Sequence, residues 1–381
     1  MDLPVDEAFT KALPKCELHA HLSGSISRTT LHEIWQKKKT SNPDISLGDP
    51  ALALKPAGTF PTILSFFQIF NDYIYNLVND RESIAYATRA MIEDFRRDGV
   101  RYLELRTTPR EIPSAGITRD AYVRIVLEAL EEYHQSQFDN TTLAEEDQIE
   151  VHLILSIDRT MTASQADEIL DLAEKYQHLS GKLKLASSSP VQDYKSNPVA
   201  PPTIVGIDLC GNPTKGDISL FTPTFLRAKT MPTLRTTVHF AEIPTQPTSN
   251  ELEVLLSWSP DRLGHAINIP ADLRSIIKER KIALELCLSC NVLAEMTQGG
   301  FGGHHLGEWM QTECPIALGT DDVGVFESSL ANEYFIAASE FGLGRGEVVG
   351  LARRAVEATF QEGGRKRMER LIVEFEKRME L

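Results

Sequence analysis

KCELHAHL, residues 15–22, sets two histidines two positions apart in a segment of strand length, so His19 and His21 project to the same side. Seven further segments of this kind follow: VRYLELRTTP (100–109), EVHLILSID (150–158), TIVGIDLCG (203–211), RTTVHFAE (235–242), RLGHAI (262–267), IALELCLSC (282–290) and CPIALGTDD (314–322). Apolar runs with polar ends suit the strands of a parallel sheet covered on both faces. Between them, ITRDAYVRIVLEALEEYHQSQ (117–137), TASQADEILDLAEKYQHL (162–179) and NELEVLLSWS (250–259) space their apolar residues three and four apart, with Thr or Asn near their starts. That is the pattern of amphipathic helices. Strand and helix alternating eight times predict an α/β fold, a (β/α)8 barrel, in preference to a doubly wound sheet. Residues 1–381 then form one domain, with loop insertions at 41–61 and 187–202, both rich in Pro and Ser, the first expected to help cover the barrel mouth. Helical segments 328–341, 345–360 and 364–381 are expected to pack outside the barrel or cap it.

Composition narrows the function. The 381 residues carry 39 Lys and Arg against 54 Asp and Glu, a net charge of −15, and no basic block, which argues against a nucleic-acid partner or a membrane surface. No apolar run approaches the roughly 18 residues of a membrane span. The first residues, MDLPVDEAFTKALPK, are acidic where a secretory signal is basic, and five scattered cysteines read as reduced thiols, so a cytoplasmic protein is expected. Cys287 and Cys290 would face opposite sides of a strand and read as core residues rather than a redox pair. No extended heptad is present, and a monomer is the expectation.

In a barrel, catalytic side chains sit at the C-terminal ends of strands and in the loops that follow. Of ten histidines, His32, His134 and His178 fall in helical segments and His152 begins a strand, so each reads as a surface or packing residue. His304 and His305 follow QGGFGG, which reads as a flexible loop. His19, His21, His239 and His265 remain. Two neighbouring imidazoles inside a barrel need something to organise them, and a divalent metal does so. His19 and His21 on the first strand, His239 ending the fifth and Asp321 ending the eighth would leave one position open for water, as in catalytic zinc. The fourth strand offers no bridging lysine and only Asp208 in mid-strand, so one metal per chain is expected. Glu242, three residues after His239, is placed to shuttle a proton, and the reaction class is metal-assisted hydrolysis.

Taken together, ELHAHLSGSIS, GIDLCGNP, HFAE, RLGHA and GTDD resemble the adenosine deaminase family from about residue 14 to about residue 340. ELRTTPR, SIDR and TDDVGVF look most like the branch of that family acting on N6-methyl-AMP. The resemblance implies a metal-dependent, amidohydrolase-like barrel in which His19, His21, His239 and Asp321 hold zinc. It further implies that Glu242 protonates purine N1, that His265 and Asp321 position the nucleophile attacking C6, that Asp322 contacts N7, and that the Gly211 N–H contacts N3. The products would be IMP and methylamine.

Adenosine deaminases carry Asp two residues after the second histidine, where it bonds a free 5′-hydroxyl and would repel a phosphate. This chain has Ser23 there. Thr107, Thr108, Pro109 and Arg110 would complete the phosphate end, a guanidinium and hydroxyls suiting an anion. The branch more often has Asn at position 23, Lys at 110 and His at 71, so Ser23, Arg110 and Asn71 are departures. Asp158 suits either the ribose hydroxyls or a helix cap. His21 and His239 would border the substrate as well as the metal, and Ile63, Phe66 and Phe67 are candidates beside the amine. Two alternatives stand: an adenosine or 2′-deoxyadenosine deaminase releasing ammonia, and a non-catalytic nucleotide-binding barrel, to which Glu242 would be dispensable.

Overall fold

The computed structural model describes residues 4–54, 68–177, 203–244 and 249–381. Eight parallel strands lie in sequence order: β1 Lys15–His21, β2 Val100–Thr107, β3 Glu150–Asp158, β4 Ile204–Cys210, β5 Arg235–Phe240, β6 Arg262–His265, β7 Ala283–Leu286 and β8 Ile316–Leu318. The chain then returns from β8 to β1 through a bridge between Ala20 and Asp321. There the His21 N–H donates to the Asp321 carbonyl (2.9 Å) and the Asp321 N–H to that of His19 (2.7 Å). The bonds that bring the barrel's edges together are thus made by residues expected to hold the metal.

Helices cover the outside for local reasons. Asp80 and Ser83 form a reciprocal capping box at the start of helix Arg81–Arg97, and Gly99, at φ +85°, lets the chain turn from that helix into β2. Thr118 caps helix Arg119–Asp139, whose Tyr122, Val126, Leu130 and Tyr133 stripe is buried. Helix Arg345–Glu357 packs between β8 and β1, and helix Glu362–Met379 packs on it and on β2. At the N-terminal end of the barrel, Arg367 donates to the carbonyls of Arg101 (2.9 Å) and Gln148 (2.7 Å), and Arg262 to that of Ala358 (3.0 Å).

The barrel interior is polar. Arg106 donates to Glu285 (2.7 Å) and to the Leu18 carbonyl (2.6 Å), Arg262 to Glu104 (2.6 Å), Thr237 to Glu285 (2.9 Å) and Ser156 to Asp208 (2.9 Å), all fully buried. Buried ion pairs add little net stability because desolvation offsets their attraction. Their value here is orientation, since they fix the carboxylates that reach up to the site.

The seventh segment differs from expectation. β7 stops at Leu286, and Cys290 lies inside a short helix, Leu288–Leu293, because the Asn291 N–H bonds the Cys287 carbonyl (2.9 Å) and starts a helical turn. His152 and His134 are buried, the former bonded to Glu150 (2.8 Å). The 187–202 insertion, the end of the 41–61 insertion, His178, Ile63, Phe66 and Phe67 lie outside the described residues; Pro50–Ala53 is a short helix capped by Asp49.

Candidate active site

Strand ends converge on a pocket at the C-terminal face of the barrel, where His21, His239, His265, Glu242, Asp321 and Asp322 meet. His19 lies beneath them, wholly buried, its Nδ1 2.6 Å from Glu285 Oε2. His239 Nδ1 lies 2.8 Å from the Leu209 carbonyl and 3.1 Å from Asp208 Oδ1. A carboxylate or carbonyl behind Nδ1 takes that nitrogen's proton in a hydrogen bond and leaves Nε2 free to ligate. Burial opposes a charge on His239, but Asp208 overrides it and raises its pKa to about 9 without metal, so a bound cation would displace that proton.

The donor set fits a divalent metal. Four donors 2.0–2.2 Å from one tetrahedral ion stand about 3.3–3.6 Å from one another. His21 Nε2 lies 3.1 Å from His239 Nε2 and 3.4 Å from Asp321 Oδ1, and His19 Nε2 lies 3.5 Å from the same oxygen. His19 Nε2 is buried without a hydrogen-bond partner, which a cation would supply. His265 also stands close, in a group with His19, His239 and Asp321 whose donor atoms all lie within 4.8 Å. Its Nε2 is 3.9 Å from both Asp321 Oδ2 and Glu242 Oε1, wider than a ligand edge. Cys290 Sγ donates to Asp321 Oδ2 (2.8 Å).

Protonation follows from burial and neighbours. Burial raises the Glu242 carboxyl pKa despite His239 and Arg159, and its Oε1 has no hydrogen-bond partner. Burial and then the adjacent Asp321 charge push Asp322 well above the usual range, and its Oδ1 is likewise unpartnered. Burial lowers His265 to about 3. Glu242 and Asp322, both biased toward the protonated form, therefore face His21 and His265, which burial biases toward the neutral form.

The remaining expected contacts divide. Ser23, Asn71, Thr107, Thr108, Asp158 and Gly211 line the pocket, joined by Arg106, Tyr75 and Met296, which the sequence did not single out, and by Cys290, which it read as a core residue. Asp158 Oδ1 accepts from the N–H of Thr160 (2.8 Å), the turn role that stood as its alternative, while the residue still borders the pocket. Thr107 Oγ1 lies 3.0 Å from the Tyr122 hydroxyl. Pro109 and Arg110 do not line the pocket. Arg110 donates to the Val78 carbonyl (2.9 Å), and its guanidinium stacks 4.0 Å over the ring centre of Tyr75, which does line the pocket.

A parallel barrel with three imidazoles and one carboxylate at its C-terminal face defines a metal-dependent hydrolase of the amidohydrolase type. The adenosine deaminase model matches residues 14–188 and 192–374, and the chain belongs to the adenosine deaminase family. It is 35% identical to the N6-methyl-AMP deaminase-L of Xenopus laevis, an alignment covering 92% of this chain and 90% of that one. The apo N6-methyl-AMP deaminase of Arabidopsis thaliana superposes with a TM-score of 0.78 at 31% identity, covering 98% of each chain. The Arabidopsis ADAL complexed with IMP gives 0.78 at 31%, covering 97% and 98%.

Proposed function

We propose that this deaminase hydrolyses N6-methyl-AMP to IMP and methylamine, with one zinc ion per chain held by His19, His21, His239 and Asp321. The observation that carries this is full-length similarity to enzymes named for that reaction. The placing of Ser23, a neutral donor, on the pocket wall supports it. Zinc, when bound, supplies Lewis-acid activation of a water molecule. The chain's own groups do the rest. Glu242, with its raised pKa, carries a proton to purine N1, which makes C6 electrophilic. Asp322, biased toward its protonated form by burial and then by Asp321, donates to N7, and the Gly211 N–H meets N3. His265 and Asp321 hold the attacking water against C6.

The phosphate end is neutral in this assignment: Ser23, Asn71 and Thr108 bind, while Arg110 acts from behind Tyr75 without touching the phosphate. The protein works as a monomer of a single barrel domain in the cytoplasm; among the described residues no helix is long and apolar enough to cross a membrane.

Competition between N6-methyl-AMP and adenosine at equal concentration tests the substrate, and faster consumption of adenosine overturns it. Glu242→Gln is expected to lower kcat by about 10²–10⁴-fold, the usual yield of general acid catalysis, with metal content unchanged. Near-normal turnover in that variant contradicts the proton path. Metal analysis should give one zinc per chain; a value near two rejects the mononuclear site.

A further inference from the structure

Behind His265 lies a chain of groups that the reaction as described leaves unused. Asn291, wholly buried, has its side-chain amide between two rings, its Oδ1 placed 3.0 Å from His265 Nδ1 and its Nδ2 3.0 Å from His304 Nε2, although the two amide ends are interchangeable in shape. The Leu306 N–H donates to His304 Nδ1 (3.0 Å). The glycine run before His304 is a compact turn rather than a free loop: Gly299 has φ +82°, and a Cβ on Gly303 would stand 2.6 Å from the Gln298 carbonyl oxygen. That turn delivers His304, 3% exposed, under the site.

Donor counting fixes the protons. A backbone N–H can only donate, so His304 Nδ1 is an acceptor and the ring's single proton sits on Nε2. The Asn291 amide must then accept from His304, which requires turning the amide over from the placement above, its oxygen toward His304 and its NH₂ toward His265. The opposite setting would require His304 to accept at both nitrogens, which a neutral imidazole cannot do. Amide oxygen and nitrogen are interchangeable in shape, and the hydrogen-bond network decides between them. His265 Nδ1 accordingly accepts, and its proton is on Nε2.

We propose that Asn291 and His304 are positioning residues that lock His265 as its Nε2–H tautomer, so that it presents a hydrogen-bond donor, and no lone pair, to the reacting centre. Resting on the deaminase assignment above, this deepens it in two ways. It removes His265 from the candidate metal ligands although its nitrogen lies within the cluster. It also assigns His265 to holding the nucleophile's oxygen by donation. A ring held in the wrong tautomer loses most of its catalytic value even where geometry is intact.

The test uses full-length zinc-loaded protein labelled with ¹⁵N-histidine, in which ring nitrogen shifts and couplings report the tautomer directly. The expected result is a protonated Nε2 and an accepting Nδ1 for His265; a proton on Nδ1 overturns the proposal whatever the substrate proves to be. Asn291→Asp, nearly isosteric, offers acceptors on both sides and should move the His265 proton to Nδ1. Turnover number is then expected to fall about 10- to 100-fold, the range for partners behind a site's contact residues, with KM within about twofold. Retention of full kcat in Asn291→Asp also overturns it. Failure of the substrate competition alone would leave the tautomer result standing.

Discussion

Several functional residues hold backbone or packing that their types disfavour. His265 and Asp321 adopt left-handed φ values of +60° and +59°, and Ala241, between His239 and Glu242, has +55°. Each such position costs roughly 1–2 kcal/mol and persists only where its surroundings enforce it. Glycines make the room. A Cβ on Gly264 would stand 2.7 Å from His19 Cε1, and one on Gly24 would stand 1.6 Å from Asp322 Oδ1. Gly24→Ala must therefore displace the Asp322 carboxyl by about an ångström or more. A shift of that size at a reacting group costs about 100-fold in rate. The variant is expected to lose that much kcat/KM while keeping its zinc and melting within a few degrees of the parent. A kcat/KM within about twofold of the parent would mean that Asp322 does not need its present position.

At the level of elements, the histidines were legible because strand ends can be read from a single sequence, and a barrel puts strand ends together. Side-chain aim was not legible. Arg110 follows β2 as expected, but its direction is set by Tyr75, which the π-helical turn Phe70–Ile74 brings beside it. Asn291 and His304 are joined by a glycine turn whose closure no periodicity announces, and the early end of β7 hid the helix that carries Asn291. That helix is tied down by Glu333, which accepts from the Ser289 N–H (3.1 Å) and from the Ser328 hydroxyl. Burial, only partly offset by these bonds, raises Glu333 from 4.5 to about 7. Between those values the folded protein binds more protons than the unfolded chain, so this group's contribution to stability falls as pH rises and the penalty is complete above about 7. Glu333→Gln keeps an acceptor for the Ser289 N–H and, with the Ser328 hydroxyl turned to accept from its NH₂, a bond to Ser328, without the titration. Its melting temperature relative to the parent is expected to climb between about pH 5 and about pH 8. A constant difference across that range would show that Glu333 does not titrate there.

The whole molecule poses an electrostatic problem, since a chain of net charge −15 is proposed to capture a nucleotide dianion. The eightfold strand order and the convergence of His19, His21, His239 and Asp321 were readable from spacing; the aim of Arg110 was not, because its guanidinium stacks over the Tyr75 ring instead of lining the pocket. Arg106, the guanidinium that does line the pocket, is bonded to Glu285 and lies 3.4 Å from Asp208, both buried, so its charge is largely spent inside the barrel. Asp158 and Asp321 line the same pocket, together with Glu242 and Asp322, which burial biases toward their neutral forms. If neutral donors bind the phosphate, then among the described residues no free cation at that end of the pocket adds to the proposed zinc ion, and the acidic surface slows the approaching dianion. Raising ionic strength from about 0.01 M to about 0.15 M shortens the Debye length from about 30 Å to about 8 Å and screens that field. The kcat/KM for N6-methyl-AMP is therefore expected to rise several-fold over this range, while that for uncharged adenosine stays flat and serves as the control. A fall with added salt would place a functioning cation at the mouth, and Arg110, released from the Val78 carbonyl and swung past Tyr75, would be the first residue to replace with a neutral one.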